Sequence, residues 1–450
     1  VRLSAATADD LPTEVARPAY DRAAQRIGIV HFGLGAFHRA HQAWYTDLAM
    51  CAGERDWAIC GVSLRSRTVS DQLAPQDGLY TLTVGGDRRL IGAVREVLVA
   101  GEDAEAIIAR LADPACHIVS FTVTEKGYAR SPDGTLDLAL AQASFYPLLA
   151  EGLARRKAGG LPGLTLLSCD NLAANGKVLG ALVQQWLTVR APAVAEWFAR
   201  ECRTPSTMID RIVPRSDPAD LAALTKRLGM QDHGAVFTEP FSQWVIEDDF
   251  AGPRPRWDAH GAQLVEDVAP YEIAKLRMLN GAHSLLAYAG LRAGYTYVHE
   301  AVADPVLRGL ADRLMRTEAA STVPPAPGLD LQAYADSLLA RFADPGLNHR
   351  LAQIAMDGTQ KIPQRWLDTM RERARRGAPS PAIAAGFEAW LWHLADGRFV
   401  DDPAGFDLVA CAASADRKAL IAMCFEESSE RAPVWPGYGE LAEITAKGCA

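Results

Sequence analysis

A chain of 450 residues is longer than one hydrophobic core ordinarily organises, and it predicts two domains. With 49% hydrophobic and 22% charged residues it has the make-up of an ordinary soluble globular protein, which excludes a mostly disordered chain. A net charge of −9 argues against the basic face of a nucleic-acid binder, and an anionic substrate would have to be collected by particular lysines and arginines. The first twenty residues hold no basic segment followed by an apolar run, and no stretch of about 18 uncharged apolar residues occurs further on. No signal peptide, no membrane contact and a cytoplasmic location are therefore expected. The eight cysteines, at 51, 60, 116, 169, 202, 411, 424 and 449, include no C-x-x-C pair and read as free thiols of a reducing compartment.

In chain order, Ile27 to Phe32 (IGIVHF) is the first buried-strand signal. The glycine-rich turn GLGAFHRAH comes next, then a helix from about Ala40 to Cys51. Trp57 to Leu64, Ile118 to Val123 and Leu164 to Ser168 read as three more strands, the last two running into TEKG and CDN. Strands alternating with helical segments predict a parallel α/β sheet. Pro253, Pro255 and Pro270 mark a transition, beyond which helical patterns dominate.

The strand–turn–helix at Gly33 has the pattern of a dinucleotide fingerprint. Gly33 permits the tight turn, Gly35 lets a pyrophosphate approach the backbone, and the unpaired N–H groups of the next helix face the phosphates. His38 stands where G-x-G-x-x-G has its third glycine, so the turn alone is a weak signal. The candidate cofactor-binding residues are Gly33, Gly35, Ala36, Phe37, Arg65, Thr124 and Glu125. The second strand ends GVSLRSR, without the acid that usually holds the ribose hydroxyls. Arg65 and Arg67 either accommodate a 2′-phosphate or are solvated surface residues, so the expected cofactor is NAD, with NADP as the alternative. His38 and His41 lack a third ligand at familiar spacing, and no metal is expected.

The most informative segment is Lys275-Leu-Arg-Met-Leu-Asn280-Gly-Ala-His283. Pro270 sets the helix start near Tyr271 or Glu272. At about 100° per residue, His283 falls roughly 80° and Asn280 roughly 140° from Lys275, so all three can border one cleft. A lysine in the first helical turn is disfavoured as a cation by the helix dipole and by partial burial, and a neutral lysine can take a proton from a substrate hydroxyl. Asn280 and His283 can hydrogen-bond the same oxygen as charge develops there. The competing reading is a surface lysine, a packing asparagine and a satisfied core histidine.

Six motifs, HFGLGAFHRAHQ, TVTEKGY, SCDN, MIDRIVP, KLRMLNGAHS and MDGTQKIPQR, occur in that order. Together they resemble the polyol-specific long-chain dehydrogenase family, which includes mannitol 2-dehydrogenases and fructuronate reductases. The resemblance runs from about residue 25 to 370 and more weakly beyond. It implies an α/β fold with a Rossmann-type dinucleotide-binding domain, set at residues 1–266, followed by a mostly α-helical domain at 267–450, with the active site between them. It implies zinc-free hydride transfer with Lys275 as general acid/base, Asn280 and Asn171 on the reacting oxygen, His283 binding substrate and Asp210 near the site.

Within the family, AFHRAHQAWYTD, TVTEKGY and DGTQKIPQR look more like fructuronate reductases. A uronate carboxylate needs a cation or a bidentate arginine, for which Lys126, Lys361 and Arg365 are the candidates. The expected reaction is reduction of D-fructuronate to D-mannonate. The alternatives are a neutral polyol dehydrogenase (mannitol, arabinitol or sorbitol) and a non-catalytic cofactor sensor, against which the intact Lys275, Asn280 and His283 argue. The expected partner is a small sugar acid or polyol, and the expected state a monomer or weak homo-oligomer.

Overall fold

The computed structural model describes residues 1–131 and 133–402, so Cys411, Cys424 and Cys449 lie outside the described residues. The chain divides into two compact units, Val1–Val268 and a second beginning at Ala269.

The first unit is built on five parallel strands, here β1 (Ile27–Phe32), β2 (Ala58–Ser63), β3 (Val94–Val99), β4 (Ile118–Phe121) and β5 (Thr165–Ser168). Their order is β3-β2-β1-β4-β5, the Rossmann order, with the switch point between β1 and β4. All residues of β1, β2, β4 and β5 are buried, as they must be when helices cover both faces of a parallel sheet. Alternation then decides which side each residue serves. Val30, Cys60, Val119 and Leu166 join the core formed with helices Tyr146–Ala158 and Asn175–Arg190. Ile29, Ile59, Ile118 and Leu167 join the opposite core, with Tyr45, Trp244 and Trp257. Two small sheets flank this centre. One orders Val15–Ala16, Asp87–Ile91, Tyr80–Val84 and Val236–Thr238, and the other Gln263–Val265, Gln243–Glu247 and Thr207–Asp210.

Three boundaries differ from expectation, each for a local reason. The helix after the glycine turn begins at Ala36, not Ala40, because extended Gly35 delivers the chain directly into it. It breaks at His41 (φ −128°, ψ −94°) and resumes as Gln42–Cys51. The Ala40 carbonyl released by the break accepts from Arg211 Nη1 at 2.6 Å. β4 stops at Phe121 rather than Val123 because, past a last bond from the Thr122 amide to the Phe32 carbonyl, the amides of Val123 and Thr124 bond to the Asp170 carboxylate instead of a strand.

The second unit is helical, with one large core that includes Met278, Leu285, Trp366 and Trp390. Its helix starts are written in the sequence. Before Pro305–Arg313, the Asp304 carboxylate accepts from the amides of Val306 and Leu307, and Pro305 lacks the amide that would otherwise go unpaired. Helix Ala269–Ala274 runs into a π-helical segment, Lys275–Asn280, and then into Gly281–Ala293. Two more π segments, Leu314–Ala319 and Pro363–Leu367, pack against it. Among the described residues no helix is long and apolar enough to cross a membrane.

Candidate functional site

The loops at the carboxyl ends of β1, β2, β4 and β5 gather at one edge of the central sheet, where an open α/β sheet takes its ligand. They carry Gly33, Gly35, Ala36 and Phe37, then Arg65, then Thr124, Glu125 and Lys126, and finally Asn171. Gly33 has φ +96°, and a Cβ there would sit 2.1 Å from the Thr122 carbonyl oxygen. Only glycine fits that turn, and the close approach leaves an uncluttered backbone cradle of the kind a pyrophosphate needs.

His31, fully buried in β1, supports the cradle from below. Its Nδ1 is 2.8 Å from Ser120 Oγ, which itself donates to Gln42 Oε1 at 2.6 Å. On the other side of the ring, Nε2 lies 2.9 Å from Thr122 Oγ1, whose hydroxyl donates to the Gly33 carbonyl at 2.7 Å, so the imidazole is tied into the backbone of the turn. His38 stacks on this ring with centroids 3.5 Å apart. Burial pushes His31 down to about 3 and His38 well below the usual histidine value, so both rings are neutral near pH 7. The residue replacing the third glycine is thus a packing element, and His41 packs edge-on against Tyr45 and Trp244.

Asp170, at the end of β5, organises the TEKG loop, and sequence reasoning did not single it out. It accepts from the amides of Val123 (3.0 Å) and Thr124 (2.9 Å) and from the Tyr128 hydroxyl (2.8 Å). Burial raises its carboxyl while these three donors pull it back. Thr124 has φ +64° and ψ 166°, a backbone region otherwise reserved for glycine, and Asp170 holds it there. The available signal was an acid just beyond a fully buried strand, in SCDN. From the same loop, the Asn175 amide donates to the carbonyls of Asp170 and Thr207, and Thr207 N–H returns a bond to Asn175 Oδ1. This ties β5 to the strand ending in buried Asp210.

In the second unit the π segment changes the expected geometry. Its i→i+5 bonding places Asn280 one turn above Lys275 on the same face, rather than some 140° around. The helix also starts at Ala269, so Lys275 lies beyond the first turn, where the helix dipole has largely faded. Lys275 itself is half-buried.

His283 comes next, in Gly281–Ala293, buried, 4.6 Å from the Phe342 ring and edge-on to His349 at 5.3 Å. Burial, then the positive charge of His349, Arg341 and Arg365, holds it well below the usual histidine value. Arg365 Nη1 donates to Ser284 Oγ at 2.8 Å and to the Asn280 carbonyl at 3.4 Å. Burial lowers its guanidinium to about 10, and no carboxylate among the described residues pairs with it. Lys361 is used locally, donating to the Met356 carbonyl at 2.6 Å and lying 3.5 Å from Asp357. Of the three candidate cations, only Arg365 is bonded to the Lys275–His283 stretch, while Lys126 lies exposed in the first unit.

A dinucleotide cradle on a Rossmann sheet, followed by a helical unit bearing lysine, asparagine and histidine, defines an NAD(P)-dependent oxidoreductase of CH–OH groups. Residues 27–259 match the family model of the mannitol dehydrogenase Rossmann domain, and residues 267–411 that of the mannitol dehydrogenase C-terminal domain. The chain belongs to the mannitol dehydrogenase family. It is 42% identical over 397 residues to D-mannonate oxidoreductase of Escherichia coli (strain K12), covering 84% of this chain and 82% of that one. It is 39% identical over 399 residues to mannitol 2-dehydrogenase of Phaeosphaeria nodorum (strain SN15 / ATCC MYA-4574 / FGSC 10173), covering 84% of this chain and 70% of that one. The solved Pseudomonas fluorescens mannitol 2-dehydrogenase, a ternary complex with NAD and D-mannitol, superposes with a TM-score of 0.85 at 33% identity, over 100% of this chain and 96% of that one.

Proposed function

We propose that this enzyme interconverts a sugar acid and its keto form, D-mannonate and D-fructuronate, using NAD(P). The supporting observation is Arg365, a half-buried arginine with no carboxylate partner among the described residues, anchored to Ser284 and Asn280 beside His283. A buried cation without a counter-charge is costly, and a substrate carboxylate would remove that cost through a charge-assisted, bidentate contact. A neutral polyol offers no such compensation. Identity does not choose between the two substrate classes, since relatives of both kinds stand at about 40%.

When bound, the nicotinamide accepts the hydride from the substrate carbon, or returns it. Lys275 takes the hydroxyl proton in oxidation and gives it back in reduction. Asn280, brought onto the same face by the π turn, donates to the oxygen as negative charge develops. The neutral His283 ring orients the substrate by hydrogen bonding. The test is NADH and NADPH oxidation with fructuronate and with fructose, side by side. Turnover of fructuronate alone is expected, whereas turnover of fructose alone would make the chain a neutral polyol dehydrogenase.

A further inference from the structure

The edge of the central sheet holds one feature that the reaction leaves unused. Gly33 N–H bonds to the Val62 carbonyl at 2.9 Å, so the cofactor turn is held directly against the end of β2. Ala100 N–H bonds to the Ser63 carbonyl at 2.9 Å, so the loop after β3 is held there too. The loop after β2 is Leu64-Arg65-Ser66-Arg67 and contains no acid. Arg65 is exposed, with no ion pair to any described residue. Arg67 is ion-paired to Glu102 in the loop after β3, and lies 3.5 Å from Asp71. In this fold the end of β2 faces the 2′ position of the adenosine ribose, where a carboxylate selects a free hydroxyl and an arginine accommodates a phosphate.

Resting on the dinucleotide reading of this sheet, we propose that Arg65 and Arg67 form a 2′-phosphate site, so that the enzyme accepts NADP+ as well as NAD+, and that Glu102 sets the balance. Glu102 competes in two ways. It occupies the Arg67 guanidinium, and it places a negative charge beside the incoming phosphate. The pair is exposed, and exposed pairs of this kind are weak, so a 2′-phosphate carrying nearly two charges can displace it. Arginine can meet that phosphate with two parallel N–H bonds, whereas Arg67 reaches Glu102 through Nη1 alone.

Calorimetric titration of the full chain with NAD+ and NADP+ tests this without any turnover. NADP+ is expected to bind within ten-fold of NAD+, with a steeper salt dependence. Arg65→Ser should weaken NADP+ at least ten-fold, and Glu102→Gln should tighten it at least three-fold. Glu102→Gln should leave NAD+ within two-fold, and an unchanged far-ultraviolet circular dichroism spectrum reports that both variants are folded. NADP+ binding more than ten-fold weaker than NAD+, or indifferent to both substitutions, would overturn the proposal. If neither dinucleotide binds, the cofactor site falls and the proposal with it.

Discussion

At the scale of single residues, Lys275 and Arg365 of the proposed chemistry and Asp170 of the first unit each make a separable prediction. Lys275→Ala should lower turnover by several orders of magnitude while NAD+ binds as before in a fluorescence titration, because the residue's work is proton transfer. Near wild-type turnover would assign that work elsewhere. Arg365→Gln should raise KM for the sugar acid at least ten-fold and alter kcat less, because it removes the counter-charge and keeps much of the side-chain volume. An unchanged KM would remove the argument for an anionic substrate. Asp170 acts one step further back. It holds the amides of Val123 and Thr124, so Asp170→Asn turns one of its two oxygens into a donor facing a donor. The TEKG loop should then leave its glycine-like conformation, which faster amide exchange at Thr124 and Glu125 would report. None of these side chains announces its geometry by spacing. The K-x4-N-x2-H pattern was legible because its residue types are unusual together, whereas Asp170 acts on backbone amides of a loop some 45 residues away, a relation that exists only once β4 and β5 are paired.

At the scale of elements, legibility tracked burial. β1, β2, β4 and β5 are fully buried and mostly apolar, with one or two small polar or histidine side chains each, and could be read directly, because a strand covered on both faces admits little else. β3 reads VREVLV and escaped, since it lies at the sheet edge, where Arg95 is exposed. The flanking sheets escaped because their strands are two to five residues long and take their partners from distant segments. The π turn left no trace at all: a wider turn changes no residue type, only the angular phase of the residues beyond it. The cofactor turn was the opposite case, legible because its backbone conformation excludes every other residue. Gly33→Ala places a Cβ 2.1 Å from the Thr122 carbonyl oxygen at φ +96°, so the β1 turn must open. We expect NAD+ affinity to fall at least a hundred-fold with the far-ultraviolet circular dichroism little changed. Retained affinity would move the pyrophosphate away from this turn.

At the scale of the whole molecule, both units have folded histidines into their interiors as neutral rings, and this couples stability to pH. His31 is pushed down to about 3, and His38 and His283 well below the usual value, in each case chiefly by burial. In the unfolded chain the same rings titrate near about 6.5. Between those limits the unfolded state binds protons that the native state does not, so stability rises with pH across the window. The stabilisation is complete above about 6.5 and is lost as pH falls below it, by up to about 1.4 kcal/mol per pH unit for each histidine. Ordinary carboxylates titrate lower, near about 4, so the interval from pH 6.5 to 5 is dominated by the histidines. Urea denaturation across that interval should show the midpoint falling steadily with pH. His38→Gln should flatten the fall while lowering stability at pH 7.5, because it removes one buried imidazole along with its stacking on His31. A midpoint that does not move between pH 6.5 and 5 would mean that these rings accept protons in place, which the buried stack beneath the cofactor turn does not allow.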